Sequence, residues 1–442
     1  MKPHRCLALA GFINALFLCT AAMAEVPTYR LTLAEAMDMA QAYSPRLSSL
    51  RAFQNAGEAR LQMAKAGYMP SLDVTAGYAR YSNVPEFVLA LPGAPPRTIF
   101  PNIPDNYRAR LAVTIPLYTG GRTAASIRAA TDNLTAAGDD IGTGTADIAL
   151  ETSSAYWDLV TARERERVFA EALKAYESHL TDAGNREKFG MAARNEVLAV
   201  QVERDRAELA RIQATNQVDV SSANMVRLLG VAPGSIIEPA ELLEPLSLPN
   251  LAIEALVSEA LAKRPERAAL QARIGAAESS VRVEQSSRFP QINAVAGYDY
   301  ANPNQRILPP TDAWKGSWGV SFNLALNLFD GGRISGAVAQ AQAQREAARR
   351  QLQELDDQIR MQVTSRVLDL RTASAALRVS NRNLQAAKEN QKVTGDRYRE
   401  GVSPSSDLLD AEAALLHAGL DLTETLARER FAWASLQRAV GR

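Results

Sequence analysis

Pro116-Leu117-Tyr118-Thr119-Gly120-Gly121-Arg122 marks a boundary between two kinds of sequence pattern. Before it, apolar and polar residues alternate, as is typical of a strand. After it, proline is absent as far as residue 232, and Ala, Glu, Gln and Arg are frequent, which favours a long helix. Because glycine tolerates unusual dihedral angles, Gly120 and Gly121 are predicted to have a structural role at a strand-to-helix corner.

The same corner occurs a second time, at Leu328-Phe329-Asp330-Gly331-Gly332-Arg333, where Gly331 and Gly332 are given the same role. Other residues also recur in the same order: Pro45, Pro70, Gly77, Tyr78, Gly190 and Gly230 as Pro265, Pro290, Gly297, Tyr298, Gly401 and Gly441. The second copy of each residue lies 220 or 211 positions after the first. A period of this length is far too long for a solenoid repeat and indicates an internal duplication. We predict a first structural repeat at residues 25–230, a linker at residues 231–250 and a second repeat at residues 251–442.

The N-terminus is predicted to be an export signal, residues 1–24. Lys2 and Arg5 precede an apolar run, and Ala22-Met23-Ala24 is a small-x-small cleavage site. A short membrane anchor is the alternative interpretation. Cys19 raises a second alternative, lipid modification, although Leu18 is bulky for a lipoprotein site.

Composition argues against several classes of function. Charge is balanced at 49 basic and 49 acidic residues, so nucleic acid is not an expected partner. Cleavage removes both cysteines, and the remaining histidines, His179 and His417, lie far apart and are predicted to be solvated on polar helix faces. We therefore expect no metal site and no disulfide. Without a nucleophile motif or a phosphate loop, neither an enzyme nor a cofactor is expected.

Each repeat is predicted to hold a very long helix, at residues 123–188 and 334–399, about 100 Å in length at the usual helical rise. In the second helix, apolar residues have the spacing of a coiled-coil seam: Leu352, Leu355, Ile359, Val363, Val367, Leu370, Leu377 and Leu384. A second helix follows Gly190 or Gly401, which gives a helical hairpin with a short tip. Helices of this length suit a tube or a rod.

Four segments alternate with a period of two, at residues 72–78, 107–117, 292–300 and 318–328. One interpretation is a half-buried sheet of a soluble domain. The other is an outer-membrane barrel, which has an apolar face towards lipid and a polar lumen. Four strands cannot close a barrel, and an open edge is not tolerated in lipid, so this second interpretation requires further copies of the chain.

The chain resembles the TolC-like outer membrane efflux protein family. The resemblance rests on the two glycine corners and on further motifs: Leu31-Thr32-Leu33-Ala34-Glu35-Ala36, Tyr68-Met69-Pro70-Ser71-Leu72, Phe289-Pro290-Gln291-Ile292, Arg397-Tyr398-x-x-Gly401 and Asp407-Leu408-Leu409-Asp410-Ala411-Glu412. It implies an α+β membrane protein. Three chains would form a homotrimer with a 12-stranded outer-membrane β-barrel, four strands per chain, continued by a long α-helical coiled-coil barrel in the periplasm.

The resemblance also implies an exit duct for a tripartite efflux pump or a type I secretion system. Its partners would be a periplasmic adaptor (membrane fusion) protein, an inner-membrane transporter and outer-membrane lipid. A soluble periplasmic coiled-coil scaffold is the alternative function.

Asp407 and Asp410 match the acidic ring at the periplasmic aperture of the family and would share one helix face. The alternative is that Asp407 only stabilises a helix N-terminus through the helix dipole. Glu196, the first-repeat equivalent of Asp407, and Tyr398 are also assigned to the aperture.

Four residues are assigned to the hairpin tips and to adaptor contact: Gly190, Gly401, Arg194 and Ser403. The glycines are expected to serve the turn first and the adaptor second. Ser403 stands where some members of the family have an arginine, which puts a closing salt bridge at this position in doubt. Arg194 is the candidate substitute for that arginine.

Overall fold

The structure is a computed structural model that describes residues 27–249 and 251–442. The predicted signal peptide and Cys19 lie outside these residues. The helices are α1 Leu33–Tyr43, α2 Pro45–Ala66, α3 Arg122–Lys188, α4 Arg194–Leu229, α5 Ile253–Lys263, α6 Pro265–Gln285, α7 Arg333–Arg399 and α8 Ser405–Val440. The strands are β1 Thr28–Leu31, β2 Ser71–Arg80, β3 Phe87–Leu89, β4 Arg97–Phe100, β5 Asp105–Tyr118, β6 Ile236–Pro239, β7 Gln291–Asn302 and β8 Lys315–Ala325.

The two long helices, α3 and α7, have 67 residues each and begin one residue earlier than predicted. The residue before each helix is a glycine in the left-handed region, Gly121 with φ 83° and Gly332 with φ 92°. Such a φ is strained for other L-residues, so the corner depends on glycine. None of the helices in the described ranges has an apolar stretch long enough to cross a membrane.

The main sheet has four strands in the order β2-β5-β7-β8, and all its neighbouring strands are antiparallel. The pairing of β5 with β7 joins the two halves of the chain. One face is apolar, since Leu111 pairs with Tyr298 and Tyr298 pairs with Trp318. Strands β2 and β8 are the free edges of the sheet within the described chain.

The fourth strand lies three residues earlier than predicted, at Lys315–Ala325 and not at residues 318–328. Ala325 pairs with Gln291, the first residue of β7, and the residue before that is Pro290, which has no backbone N–H to donate. Leu328 lies beyond the strand and is exposed.

Strands β1 and β6 form a separate parallel pair that the sequence analysis did not predict, with Thr28 opposite Ile236 and Leu31 opposite Pro239. The predicted linker therefore contributes a strand to the first half of the chain. The Tyr156 hydroxyl of α3 donates to the carbonyl of Leu31 at 3.0 Å and accepts from the backbone N–H of Glu241 at 3.1 Å. Both ends of the first half are thus fastened to α3.

The seam predicted for α7 is buried in its central part. Ile359, Val363, Val367 and Leu370 form one apolar cluster with residues of α5 and α8, including Leu436. Helix α3 packs along α4, α6 and α8, so the two hairpins lie side by side. This arrangement brings both hairpin tips to the same end of the molecule, away from the sheet.

Candidate functional site at the hairpin tips

The two tips, residues 189–193 and 400–404, have closely similar backbone geometry. Gly190 has φ 73° and Gly401 has φ 76°. The N–H of Met191 donates to the carbonyl of Arg186 at 2.8 Å, and that of Val402 donates to the carbonyl of Arg397 at 2.9 Å. A Cβ on either glycine would meet no atom within 4 Å. Glycine is therefore favoured by the backbone conformation, while the space beside it is open.

Large apolar side chains are exposed at both tips, and the sequence analysis did not identify them. Phe189 is 78% exposed, Met191 69% and Val402 63%. Their burial in an assembly would be favourable at roughly 25 cal/mol per Å² of apolar surface. The tips therefore present an apolar contact surface at the end of the molecule.

Asp407 and Asp410 are both exposed, on the first turns of α8. Their three-residue separation places them on one helix face. Neither carboxylate makes an ion pair with any side chain in the part of the chain that the structure describes. This face carries two carboxylates that remain available to a cation or a neighbouring chain.

Tyr398 is buried, with 3% of its surface exposed, and it joins the two hairpins. Its ring makes an edge contact with the ring of His179 on α3, at a centroid separation of 5.1 Å. The guanidinium of Arg186, also on α3, lies 4.3 Å from the Tyr398 ring centroid. Arg186 donates to the carbonyls of Tyr398 at 2.7 Å and Arg399 at 3.0 Å. The sequence analysis did not identify Arg186.

His179 is not solvated, so the prediction made for it was wrong. It is buried between α3 and α8, with Nδ1 3.1 Å from Glu412 Oε2 and Nε2 3.1 Å from Ser405 Oγ. A carboxylate can only accept, so Nδ1–H donates to Glu412. The prediction failed because it considered one helix alone, whereas the second hairpin covers the polar face of α3. His417 on α8 is exposed, as expected.

Burial and charge act together on Tyr398 and on Tyr176, which is buried on α3. Burial, followed by the carboxylates of Glu412 and Glu203, raises the pKa of Tyr176 to about 12. Burial also raises the pKa of Tyr398, with a further contribution from Glu196, while the guanidinium of Arg186 opposes the shift. Both phenols are therefore neutral at physiological pH, and Glu196 acts on Tyr398 from the first turn of α4.

The remaining tip residues occupy different environments. Arg194 is exposed, and its Nη1 lies 3.3 Å from Glu187 Oε2 of the same hairpin. Among the described residues, Arg194 therefore pairs within its own hairpin and makes no ion pair with the second hairpin. Ser403 is buried, and its backbone N–H donates to the carbonyl of Arg397.

We predict that His179→Ala loosens the contact between the two tips. The change leaves the buried Glu412 carboxylate without its donor, which costs about 1–3 kcal/mol. Amide hydrogen exchange over residues 397–405 is expected to accelerate. His417→Ala is the matched control, since it removes an exposed histidine of the same hairpin. Equal exchange in both variants would contradict a role for His179 in holding the tips.

Within residues 27–249 and 251–442, no group of three or more His, Cys, Asp or Glu side chains is arranged to hold a metal ion. The candidate site is a surface, and behind it lies a buried polar cluster of His179, Glu412, Ser405 and Tyr398. Its exposed part consists of carboxylates and apolar tip side chains.

The sequence matches the family model of the outer membrane efflux protein over residues 36–231 and 256–442. The chain belongs to the outer membrane efflux protein family. Protein CyaE of Bordetella pertussis is 28% identical over 404 residues, which cover 88% of this chain and 79% of CyaE. Outer membrane efflux protein BepC of Brucella suis is 23% identical over 411 residues, which cover 88% of this chain and 82% of BepC.

The outer membrane protein VceC of Vibrio cholerae has a similar fold. Its crystal structure superposes with a TM-score of 0.77 at 21% identity, covering 92% of this chain and 96% of VceC. The chain therefore shares its α+β, mostly helical fold with VceC. Membership of the efflux family confirms the predicted outer-membrane location and an efflux function, in preference to a soluble periplasmic scaffold.

Proposed function

We propose that three copies of this chain form a passive exit duct through the outer membrane and the periplasm. The observation that carries the proposal is the main sheet, which has two free edges and an exposed apolar face. Val74 and Trp318 are each 73% exposed and Phe322 is 72% exposed. In water such a face is unfavourable, and in lipid free strand edges are not tolerated. Lipid around the apolar face and neighbouring chains at β2 and β8 resolve both problems.

Three four-stranded sheets would make a 12-stranded barrel with room for an aqueous lumen. The two hairpins of each chain would continue it as a coiled-coil barrel of twelve helices. The element order supports an internal duplication, because α2-β2-β5-α3-α4 is followed by α6-β7-β8-α7-α8, and both second helices of the hairpins have 36 residues.

We assign Asp407 and Asp410 to the narrow periplasmic aperture of this duct. Three copies would bring six carboxylates around one opening, and rings of acidic side chains bind cations in pores. Glu196 and Tyr398 lie behind this ring, where Tyr398 holds the two hairpins together. In this proposal the aperture is a cation-binding constriction supported by the buried cluster.

The tips are proposed to receive a periplasmic adaptor protein that connects the duct to an inner-membrane transporter. The exposed side chains of Phe189, Met191 and Val402, with Gly190 and Gly401 between them, offer an apolar surface of the kind that protein interfaces bury. In this proposal the transporter supplies the energy and the duct is passive. BepC, one of the relatives, is itself named as an efflux protein.

The proposal is tested with the purified mature protein in detergent and then in planar bilayers. Sedimentation equilibrium is expected to give the mass of three chains, and the reconstituted protein is expected to conduct in discrete steps. A stable monomer that stays in solution without detergent would overturn the trimeric duct.

A further inference from the structure

The polar face of the main sheet carries an unexpected excess of positive charge at the end that is remote from the helices. Arg108 and Arg110 of β5 and Asp299 of β7 project from this face, since they alternate with the apolar Leu111 and Tyr298 of the other face. Arg306, from the loop between β7 and β8, donates to the carbonyl of Trp318 at 2.7 Å. Three guanidinium groups thus stand near one carboxylate.

The single carboxylate is already engaged. Arg108 contacts Asp299 through Nε at 2.8 Å and Nη2 at 2.6 Å. Arg110, which is half-buried, makes no ion pair within the described residues. The charge of Arg108 is therefore compensated locally, and those of Arg110 and Arg306 are not.

A pair of glycines makes room for the two uncompensated arginines. Gly297 of β7 lies directly opposite Gly319 of β8. A Cβ at Gly297 would come within 3.4 Å of Arg110 Nε, and a Cβ at Gly319 within 3.0 Å of Arg306 Nη1. Because neither residue has a side chain, both guanidinium groups can lie against the strands.

A pocket of about 550 Å³ lies over this part of the sheet. Its lining includes Thr75, Gly77, Arg108, Arg110, Asp299 and Arg306. Guanidinium groups present paired N–H donors that match the oxygens of carboxylate and phosphate groups. The pocket thus combines concave shape, hydrogen-bond donors and net positive charge.

We propose that this arginine pocket binds anionic groups, carboxylates or phosphates, and makes the outer part of the duct selective for anions. The inference rests on the proposed trimeric duct, in which the polar face lines the lumen. Three copies of the pocket would surround one opening, and charged rings in pores select ions of the opposite sign. The acidic aperture would then favour cations at the periplasmic end of the duct, and the arginine pocket would favour anions at the outer end.

The test is the reversal potential of single channels in a tenfold KCl gradient. The background variant is Asp407→Asn/Asp410→Asn, which removes the acidic aperture from the measurement. This channel is expected to prefer chloride over potassium by about threefold. Arg110→Gln is expected to bring the ratio of chloride to potassium permeability close to one. Arg110→Lys is expected to keep most of the preference for chloride, because it keeps the positive charge.

Arg80→Gln is the matched control, since Arg80 ends β2 on the opposite, apolar face and is exposed. Inorganic pyrophosphate, added on the side of the loops, is expected to reduce the current of the background channel and not that of Arg110→Gln.

The outcomes separate the two proposals. A conducting channel whose ion preference and pyrophosphate response are the same with and without Arg110→Gln would overturn the arginine pocket and leave the duct intact. An inserted oligomer that never conducts in the background variant, with its aperture carboxylates removed, would overturn the duct and the pocket with it. Loss of anion preference in Arg110→Gln but not in Arg80→Gln supports both.

Discussion

Replacing Asp407 and Asp410 with alanine is expected to weaken the block of the channel by millimolar divalent cation at least about tenfold. Both carboxylates are exposed on one face of α8, and neither is held by an ion pair within the described residues. In a trimer they would form a ring of six negative charges at the narrowest point. Removing them takes away the charge that holds the cation there.

The measurement is single-channel conductance with divalent cation added from one side at a time. Wild type is expected to be blocked from the tip side, and the double variant to conduct in the same cation concentration. Asp421→Ala is the matched control, because Asp421 is an exposed aspartate further along α8. Equal block of all three proteins would place the constriction elsewhere and leave Asp407 with the helix-dipole role alone.

Arg438→Met is expected to lower the free energy of unfolding by about 1–3 kcal/mol, because it removes charge-assisted hydrogen bonds to two carboxylates. Arg438, near the end of α8, bonds Asp147 of α3 through Nε at 2.9 Å and Nη2 at 2.7 Å. The same Nη2 bonds Glu266 of α6 at 2.7 Å. Methionine preserves much of the volume but removes the link between the two partly buried carboxylates, which then keep one arginine each, Arg46 at Asp147 and Arg264 at Glu266.

The stabilities of the variants and of wild type are compared by the urea concentration at which half of the helical circular dichroism signal is lost. Arg428→Met is the control: Arg428 lies on the same helix, but it is exposed, and its one ion pair among the described residues is with the exposed Glu424 one turn away. Such surface pairs contribute less than about 1 kcal/mol, so this variant is expected to resemble wild type. Similar midpoints for Arg438→Met and Arg428→Met would show that the contacts of Arg438 with α3 and α6 contribute little to stability.

The long helices and most strand residues could be predicted from the sequence because their patterns are local. A run without proline and a seam of apolar residues specify α7 almost to the residue, and alternation specifies β5. The pairing of β1 with β6 could not be predicted in this way. Both are four-residue strands, and they meet only because α3 brings distant parts of the chain together.

The tip region shows the same limit. Gly190 and Gly401 could be assigned to turns because a helical hairpin needs one, and Asp407 and Asp410 were assigned to the aperture because they match the acidic ring of the family that the chain resembles. The surroundings of His179 were not found, since Glu412 and Ser405 lie more than two hundred residues away along the chain. A polar helix face looks solvated in the sequence whether water or a second hairpin covers it.

The pairing of β1 with β6 has a consequence for the order of events during export. Residues up to Glu241 contain both strands of this pair and the tyrosine that fastens them to α3, so the first half can close before the second half has crossed the inner membrane. Until β7 has been exported, the backbone edge of β5 that pairs with β7 would remain unpaired. The partly exported chain is then an intermediate that is prone to aggregation. We expect a periplasmic chaperone to cover the unpaired edge of β5 until export is complete.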